Sequence, residues 1–596
     1  MLSFKRSAKL GLGSRSSESD ATLNQNLRYT LQFAAILFAL ELSYFVSGYL
    51  FWLEHNVLNF DWAASYVFFP SPYYVGFWII AFLCFCSIPL VVSTRLPPKL
   101  NERFIVLLLF VASVVIAISL WSVPEINPDA VLWNYQARYV AENSIVSFLA
   151  GFGSVVTSSS GLPVPSLMFG IAYTLFGIHR YVIQALNSTL FGLITVLAYF
   201  VGKNVFDDER IGTYSGICFL SSPFILSQVP LMLVDVASSF FIVLGIYCFT
   251  VLVKTRKILW GAMSAVPFAL ALLSKLTSAF VLVPVMIVIF AVGLLRSKQR
   301  RMVGRNLGVF FLLLVAAGLA SLSYYARIAS MFYQADPFSV AISSVLHPVM
   351  LQYPSILERA VLKSLVLSVT IPLFVISLAG LLIGLYRHDK KQLGGIIVLI
   401  VWIVIPTLLV FDPGTLNSAA RWIMPTYPAY AIAGATLVAK IKDKQFRRMV
   451  LVAILIFSVT SAHVMYAYAW DQSVSRNLMY ATDFLQQNTN ANSSIRVCGD
   501  AAGWMSIYDP NIKPSGSPFD LGSYSFFHCV NPNQTLPQYL VLVRGECCSG
   551  TYSLYPTMSP AELDFLKAHY TLLKVFQGGD MQGPWVNMEV EVYALK

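Results

Sequence analysis

The chain has 596 residues, of which 57% are hydrophobic and only 12% are Asp, Glu, Lys or Arg. Soluble globular proteins carry about 25% charged residues, so the composition excludes an ordinary soluble protein and predicts a polytopic membrane protein. The net charge of +11 does not indicate nucleic-acid binding, because the basic residues cluster in short loops between apolar runs, as the positive-inside rule requires.

The distribution of apolar runs divides the chain into three regions. Residues 1–26 are polar and Ser-rich, and predict a disordered cytoplasmic tail with no cleavable signal peptide. Residues 27–470 hold the long apolar runs and predict an all-α transmembrane domain. Residues 471–596 change to short apolar groups separated by Gly, Pro, Asn and Ser, and predict a small α/β domain on the extracytoplasmic side.

Apolar runs of about twenty residues predict about thirteen transmembrane helices, with the N-terminus in the cytoplasm. A mostly polar segment, about 122–180, predicts the first outer loop, in which Leu167–Gly177 is too short to span comfortably and predicts an interfacial or re-entrant element. With this count, nearly every Lys/Arg cluster falls on the cytoplasmic side. The predicted spans are Leu27–Leu53, Tyr73–Val92, Phe104–Ser122, Tyr181–Val201, Ile211–Pro230, Val236–Val253, Leu259–Leu276, Thr277–Leu295, Leu307–Ile328, Leu362–Tyr386, Leu393–Phe411, Trp422–Lys440 and Met449–Trp470.

The last region combines strand patterns with helix signals. The helical pattern at Arg476–Gln487 and the N-capped start at Ser559 flank apolar groups of strand length: Ile495–Cys498, Tyr539–Val543, Thr571–Phe576 and Val590–Leu595. Four of the eight cysteines lie here, namely Cys498, Cys529, Cys547 and Cys548. An oxidising compartment would permit disulfides, Cys498–Cys529 among them, whereas free thiols are the alternative.

Two acidic residues stand at predicted membrane boundaries. Asp129 begins the polar outer loop, and Asp235 follows an apolar run, so both are predicted at the same membrane face. A carboxylate at such a boundary is costly to desolvate and requires a reason for being there. Two of them on one side favour a reaction centre at the lipid–water boundary over a pore.

Several segments resemble, in their order along the chain, the GT-C superfamily of integral-membrane glycosyltransferases, in the branch of protein O-mannosyltransferases and the lipid A aminoarabinose transferase. The resemblance covers roughly residues 100–470. Its motifs are Asp129–Tyr139, Leu162–Pro165, Phe169–Gly177, Gln184–Asn187, the acid Asp235, Ala271–Phe280 and Ala420–Pro428. The chain departs from the family where a second acid often follows the first, since Ala130 stands there, and Glu125 is close but precedes Asp129.

The resemblance implies a polyprenyl-phosphate sugar as donor. Transfer then needs a base for the acceptor hydroxyl and cations for the phosphate. Asp129 is predicted as the general base, with a helix N-cap as the alternative. Asp235 is predicted to position the acceptor or share the proton network, or else to be a boundary acid that complements a helix dipole.

The basic candidates for the phosphate are Lys275, Arg421, Arg138 and Arg180. Arg421 is favoured over Lys275, because a guanidinium grips a phosphate through two parallel hydrogen bonds. Either side chain could instead extend to the lipid headgroups, and Arg138 could pair with Asp129 or Glu142. The sequence has no Walker A motif, dinucleotide loop or zinc spacing, so no cofactor or metal ligand set is predicted, while metal use stays open.

The predicted function is inverting transfer of a sugar to a hydroxyl of a protein, glycolipid or cell-wall glycan at the outer face of the plasma membrane or endoplasmic reticulum. The expected partners are the polyprenyl-phosphate donor, the acceptor and membrane lipids, and no nucleic acid. A lipid-linked sugar flippase or transporter and a polysaccharide ligase are the alternatives. A transporter should have acids near mid-span and repeated halves, neither of which the sequence has.

Overall fold

The structure is a computed structural model. It describes residues 27–40, 101–122, 125, 129–152, 162–275, 278–296, 308, 311, 315–324, 371–386, 390–409, 421, 423–471, 474–490, 493–498, 501–512, 526–547, 558–577 and 585–596. The predicted tail 1–26 and the predicted span Tyr73–Val92 lie outside these residues.

The described residues form mostly helices, followed by one small sheet. The helices of the first 471 residues are α1 (Leu27–Leu40), α2 (Glu102–Ile118), α3 (Asp129–Glu142), α4 (Ile145–Gly151), α5 (Pro163–Phe176), α6 (Arg180–Phe206), α7 (Glu209–Leu220), α8 (Pro223–Gln228), α9 (Val234–Thr255), α10 (Ile258–Leu272), α11 (Ser278–Arg296), α12 (Val315–Tyr324), α13 (Ile371–Tyr386), α14 (Lys390–Leu409), α15 (Tyr427–Lys440) and α16 (Lys444–Asp471). The remaining elements are α17 (Val474–Asn488), β1 (Ile495–Val497), α18 (Ala501–Tyr508), α19 (Phe526–Cys529), β2 (Tyr539–Cys547), α20 (Pro560–His569), β3 (Tyr570–Gln577) and β4 (Trp585–Leu595).

The largest apolar core of the described residues lies within the helical region. Helix α6 packs on α2, α7 and α9, while α15 packs on α7 and α13. Among the described residues, α6 and α9 are long and apolar enough to cross a membrane, and several shorter apolar helices accompany them. Large apolar side chains such as Leu107, Val115, Leu175 and Phe176 are exposed, as expected for a surface that faces lipid. The number of about thirteen spans stays a prediction.

The predicted continuous span at residues 211–230 is interrupted in the structure. Helix α7 ends at Leu220, and α8 begins at Pro223, after the two intervening residues Ser221 and Ser222. Proline has no N–H to donate and disfavours the helical conformation in the residue before it, so the chain is redirected at Ser222. The prediction of a single helix here was wrong, and the break lets residues 229–233 lead into Asp235.

The C-terminal residues form a four-stranded sheet in the order β1-β2-β4-β3. Strand β1 is parallel to β2, while β4 is antiparallel to both β2 and β3. Alternate residues of β2 face opposite sides, so that Val541 packs under α17 whereas Leu540 packs under α20. Each strand overlaps one of the four predicted segments, although β2 extends to Cys547 and β4 begins at Trp585.

Two local predictions for this region are confirmed. Ser559 and Glu562 form a reciprocal capping box at the start of α20, in which each side chain binds the other residue's backbone. A disulfide joins Cys498, at the end of β1, to Cys529, at the end of α19.

Candidate active site

Asp129 is the first residue of α3, and its side chain is 51% exposed. A carboxylate in the first helical turn interacts favourably with the N-terminal end of the helix dipole. The position therefore combines a stabilised negative charge with access from outside the protein.

Asp235 lies in the first turn of α9 but is buried, with a side chain that is 1% exposed. Lys275 Nζ donates to its Oδ1 at 3.0 Å, and Arg421 Nε donates to its Oδ2 at 2.9 Å. Because an unpaired buried carboxylate is strongly unfavourable, these two cations are what allow the charge at this depth.

Arg421 connects the two acids. Its Nη1 donates to Asp129 Oδ2 at 3.0 Å while its Nε binds Asp235. Lys275, Asp235, Arg421 and Asp129 thus form a row of alternating charges, here called the ion-pair cluster, whose formal charges sum to zero. Four of the six residues predicted for the site are brought together, from four separate parts of the chain.

The turn between α10 and α11 holds the lysine of the cluster. The backbone N–H of Lys275 donates to Ala271 O at 2.9 Å, and that of Ser278 donates to Lys275 O at 2.9 Å. The hydroxyls of Ser238, on α9, and Ser278 lie 3.1 Å apart, which ties this turn to the helix that carries Asp235. The lysine is thereby fixed opposite the carboxylate.

Three buried polar side chains bind consecutive residues just before Asp235. Gln184 Nε2 donates to Pro230 O at 3.2 Å, and Asn187 Nδ2 donates to Leu231 O at 2.8 Å. Glu125 Oε2 accepts from Met232 N–H at 2.8 Å. Sequence reasoning gave none of these three side chains a role, although polar residues three apart on an apolar helix were a usable signal for Gln184 and Asn187.

Arg138 and Arg180, the other two predicted phosphate ligands, make contacts with residues outside the ion-pair cluster. Arg138 is buried and donates to Pro510 O at 2.8 Å, to Ile512 O at 3.2 Å and to Glu142 at 3.3 Å. The guanidinium of Arg180 lies 5.5 Å from the ring centroid of Tyr508. Both cations contact the C-terminal region, so their positions favour a role in holding it against the first loop.

Helix α18 of the C-terminal region packs against α3. Gly503 makes the approach possible, because a Cβ atom there would lie 2.3 Å from Val131 Cγ1. Asn134 Nδ2 donates to Ser506 Oγ at 3.1 Å, and Ile507 joins the apolar cluster behind α3. The helix that begins with Asp129 is therefore supported from the C-terminal domain.

Metal ligation was left open by the sequence. Within the ranges that the structure describes, no three His, Cys, Asp or Glu side chains come together as a candidate metal site.

Residues 160–324, which include Asp235 and Lys275, match the family described as Dolichyl-phosphate-mannose-protein mannosyltransferase. No curated protein sequence matches the chain significantly.

Among solved structures, ArnT shares the fold of this chain. ArnT from Cupriavidus metallidurans matches in its apo state with a TM-score of 0.53 and 13% identity, over 82% of this chain and 98% of that chain. ArnT bound to undecaprenyl phosphate matches with a TM-score of 0.52 and 12% identity, over the same 82% and 98%. The oligosaccharyltransferase AglB from Archaeoglobus fulgidus, in complex with an inhibitory peptide and a dolichol-phosphate, has a TM-score of 0.46 and 13% identity, over 74% of this chain and 70% of that chain.

At these identities the ArnT structures establish the fold. The family match over residues 160–324 and the ArnT-like fold agree with the resemblance predicted from the sequence, to the membrane glycosyltransferases that include protein O-mannosyltransferases and ArnT.

Proposed function

We propose that the protein transfers a sugar from a polyprenyl-phosphate donor to an acceptor hydroxyl at the extracytoplasmic membrane face. The observation that carries this proposal is the ion-pair cluster, in which a half-exposed carboxylate, Asp129, pairs with Arg421, one of the two cations held by the buried carboxylate of Asp235. The undecaprenyl phosphate bound to ArnT supports the same class of donor.

Asp129 is proposed as the general base. Its exposed side chain can meet an incoming hydroxyl, whereas Asp235 is almost completely buried. The acceptor oxygen would form a bond to the anomeric carbon as the bond from that carbon to the phosphate oxygen breaks, and Asp129 would take the hydroxyl proton. A single displacement of this kind inverts the anomeric configuration.

Arg421 and Lys275 are proposed to stabilise the departing phosphate. The donor is a phosphodiester with one negative charge, whereas the released lipid monophosphate has a charge of about −1.5 to −2 at neutral pH. Two fixed cations therefore interact more strongly with the departing phosphate than with the donor. Because this extra stabilisation develops as the phosphate leaves, it lowers the activation barrier of the transfer. Arg421 already contacts Asp129, so a bound phosphate would compete for its Nη1 and leave the base ready for the acceptor.

Asp235 is proposed to position these cations rather than touch the acceptor. Its two oxygens each accept a hydrogen bond from a different cation, and its side chain is 1% exposed. Arg138 and Arg180 are left out of phosphate binding, because their guanidinium groups contact C-terminal residues.

A transfer assay tests the proposal. Radiolabelled polyprenyl-phosphate sugars would be offered to the protein in nanodiscs together with host membrane extract, comparing wild type, Asp129→Asn and Asp207→Asn. Asp207 is a matched control, since it is an exposed acid paired with Lys254 at the opposite end of α9 from Asp235.

Transfer by wild type and by Asp207→Asn, with a loss of about 100-fold in Asp129→Asn, is the expected result. Full activity of Asp129→Asn would mean that Asp129 is not the general base and that its carboxylate only stabilises the start of α3. Tight binding of a donor without transfer would favour the flippase, and retention of the anomeric configuration would contradict the single displacement.

A further inference from the structure

Glu125 links the two segments that carry the acids of the ion-pair cluster. It lies four residues before Asp129, and its Oε2 accepts from the backbone N–H of Met232, three residues before Asp235, at 2.8 Å. The residue is 0% exposed. One buried side chain thus joins the first loop to the entry of α9.

A carboxylate is a costlier hydrogen-bond acceptor at this buried position than packing alone would require. A neutral acceptor would satisfy a buried N–H, whereas a buried carboxylate carries a desolvation cost. What an ionised acceptor adds is a shorter and stronger hydrogen bond to the N–H, which restricts the position of the donor backbone. Such a contact is suited to holding Met232, and with it the start of α9, at a defined distance from the first loop.

Tyr508 extends the link to the C-terminal domain. Its hydroxyl oxygen accepts from the backbone N–H of Glu125 at 2.8 Å, and its ring lies beside the guanidinium of Arg180, which begins α6. The same residue therefore contacts the first loop and the helix that supplies Gln184 and Asn187.

We propose that Glu125 is a positioning residue that fixes Asp129 and Asp235 relative to each other, and that Tyr508 makes the C-terminal domain a structural part of the active site. The catalytic consequence rests on the proposed function, whereas the structural link does not depend on any activity. A displacement of about 1 Å between groups that act together can cost about 100-fold in rate, so this link affects turnover more than donor binding.

The test combines hydrogen exchange with kinetics on four variants of the full chain. Glu125→Ala removes the acceptor of the Met232 N–H, while Glu125→Gln retains a side-chain oxygen at that distance. Tyr508→Phe removes only the hydroxyl and keeps the ring beside Arg180. Tyr570→Phe is the matched control, because its hydroxyl donates to Pro537 O within the C-terminal domain and reaches neither acid-bearing segment.

In Glu125→Ala we expect faster amide exchange in peptides covering residues 229–235, and a kcat lowered by about 10- to 100-fold with the KM for donor changed by less than about threefold. Glu125→Gln should restore only part of the exchange protection and of kcat, because its neutral amide oxygen accepts a weaker hydrogen bond than a carboxylate does. Tyr508→Phe should speed exchange at residue 125 and lower kcat by several-fold, whereas Tyr570→Phe should leave both at the wild-type level. A purely structural role would lower the amount of folded protein without this separation of kcat from KM.

Unchanged exchange at 229–235 in Glu125→Ala overturns the link, and faster exchange with an unchanged kcat overturns the positioning role. If wild type transfers no sugar, the proposed function fails, and the exchange data still decide whether the link exists. If Glu125→Ala does not fold, Tyr508→Phe decides, since unchanged exchange at residue 125 and unchanged kcat would overturn the proposal.

Discussion

Arg421 Nε lies 2.9 Å from Asp235 Oδ2, although 186 residues separate the two in the chain. Arg421 precedes α15 and Asp235 begins α9, so the contact joins two helices at the same end. The arginine also reaches Asp129, which places one planar group between a buried and an exposed carboxylate. This arrangement separates the roles of the two acids, and the first two predictions follow from it.

Asp235→Asn should strongly destabilise the protein. The substitution removes the counter-charge of Lys275 and Arg421, and breaking a buried pair costs about 3–5 kcal/mol because the remaining charge is left uncompensated. Asp129→Asn is the matched comparison, since that carboxylate is half-exposed and its pair contributes about 0–1 kcal/mol. Thermal unfolding in detergent measures the stability of both variants. An equal change in unfolding temperature in the two would contradict the assignment of Asp235 as the structural acid.

Arg421→Lys should retain the positive charge but lose the simultaneous contact with Asp129 and Asp235. A single ammonium cannot reach both carboxylates as the separate Nε and Nη1 atoms do, so we expect a loss in transfer rate of about tenfold and a larger loss for Arg421→Gln. Arg210→Lys, at an exposed site in the first turn of α7, is the control. Wild-type turnover in Arg421→Lys would mean that charge alone suffices at this position.

Gly503→Ala should loosen the contact between α18 and α3. The added methyl group would overlap Val131 Cγ1, and overpacking of this kind costs about 1–3 kcal/mol. Gly318→Ala in α12 is the matched control, because no described atom outside its own stretch of helix lies within 4 Å of the added Cβ, and alanine is favoured over glycine in helices by about 1 kcal/mol. The thermal unfolding temperature should therefore fall in Gly503→Ala and rise in Gly318→Ala. A higher unfolding temperature for Gly503→Ala would argue against the close contact between α18 and α3.

Glu562→Gln should destabilise the C-terminal domain in a pH-dependent way. Burial raises the pKa of Glu562, but hydrogen bonds from Ser559 and from the backbone of Phe527 outweigh it and lower that pKa below its usual range. A lowered folded-state pKa stabilises the fold above the unfolded pKa of about 4.3, and the stabilisation is lost as the pH falls through the folded value.

Unfolding of wild type and Glu562→Gln, compared from neutral to acidic pH, provides the measurement. The difference should be about 1 kcal/mol near pH 7 and should shrink below about pH 4. A difference that grows as the pH falls would reverse the sign of the expected pKa shift.

Local sequence patterns located much of the secondary structure. Apolar runs marked the helices, apolar groups of strand length marked the four strands, and Ser559 with Glu562 marked the start of α20. These features depend on residues two to four apart, which is why they can be read directly from the chain. The break at Pro223 was missed because the apolar run on either side of it is continuous.

Composition and apolar runs were enough to identify a largely apolar helical protein with acids at helix starts, and to name the charged residues that could form a site. Which cations meet which acids depends on the folded arrangement: Lys275 and Arg421 pair with Asp235, whereas Arg138 and Arg180 contact the C-terminal domain. The same holds for Glu125, whose partner Met232 is 107 residues away. The physical reason is that a charge buried by folding must find its counter-charge or hydrogen bond wherever packing brings one within about 3 Å, and that depends on helix arrangement rather than on neighbours in the chain.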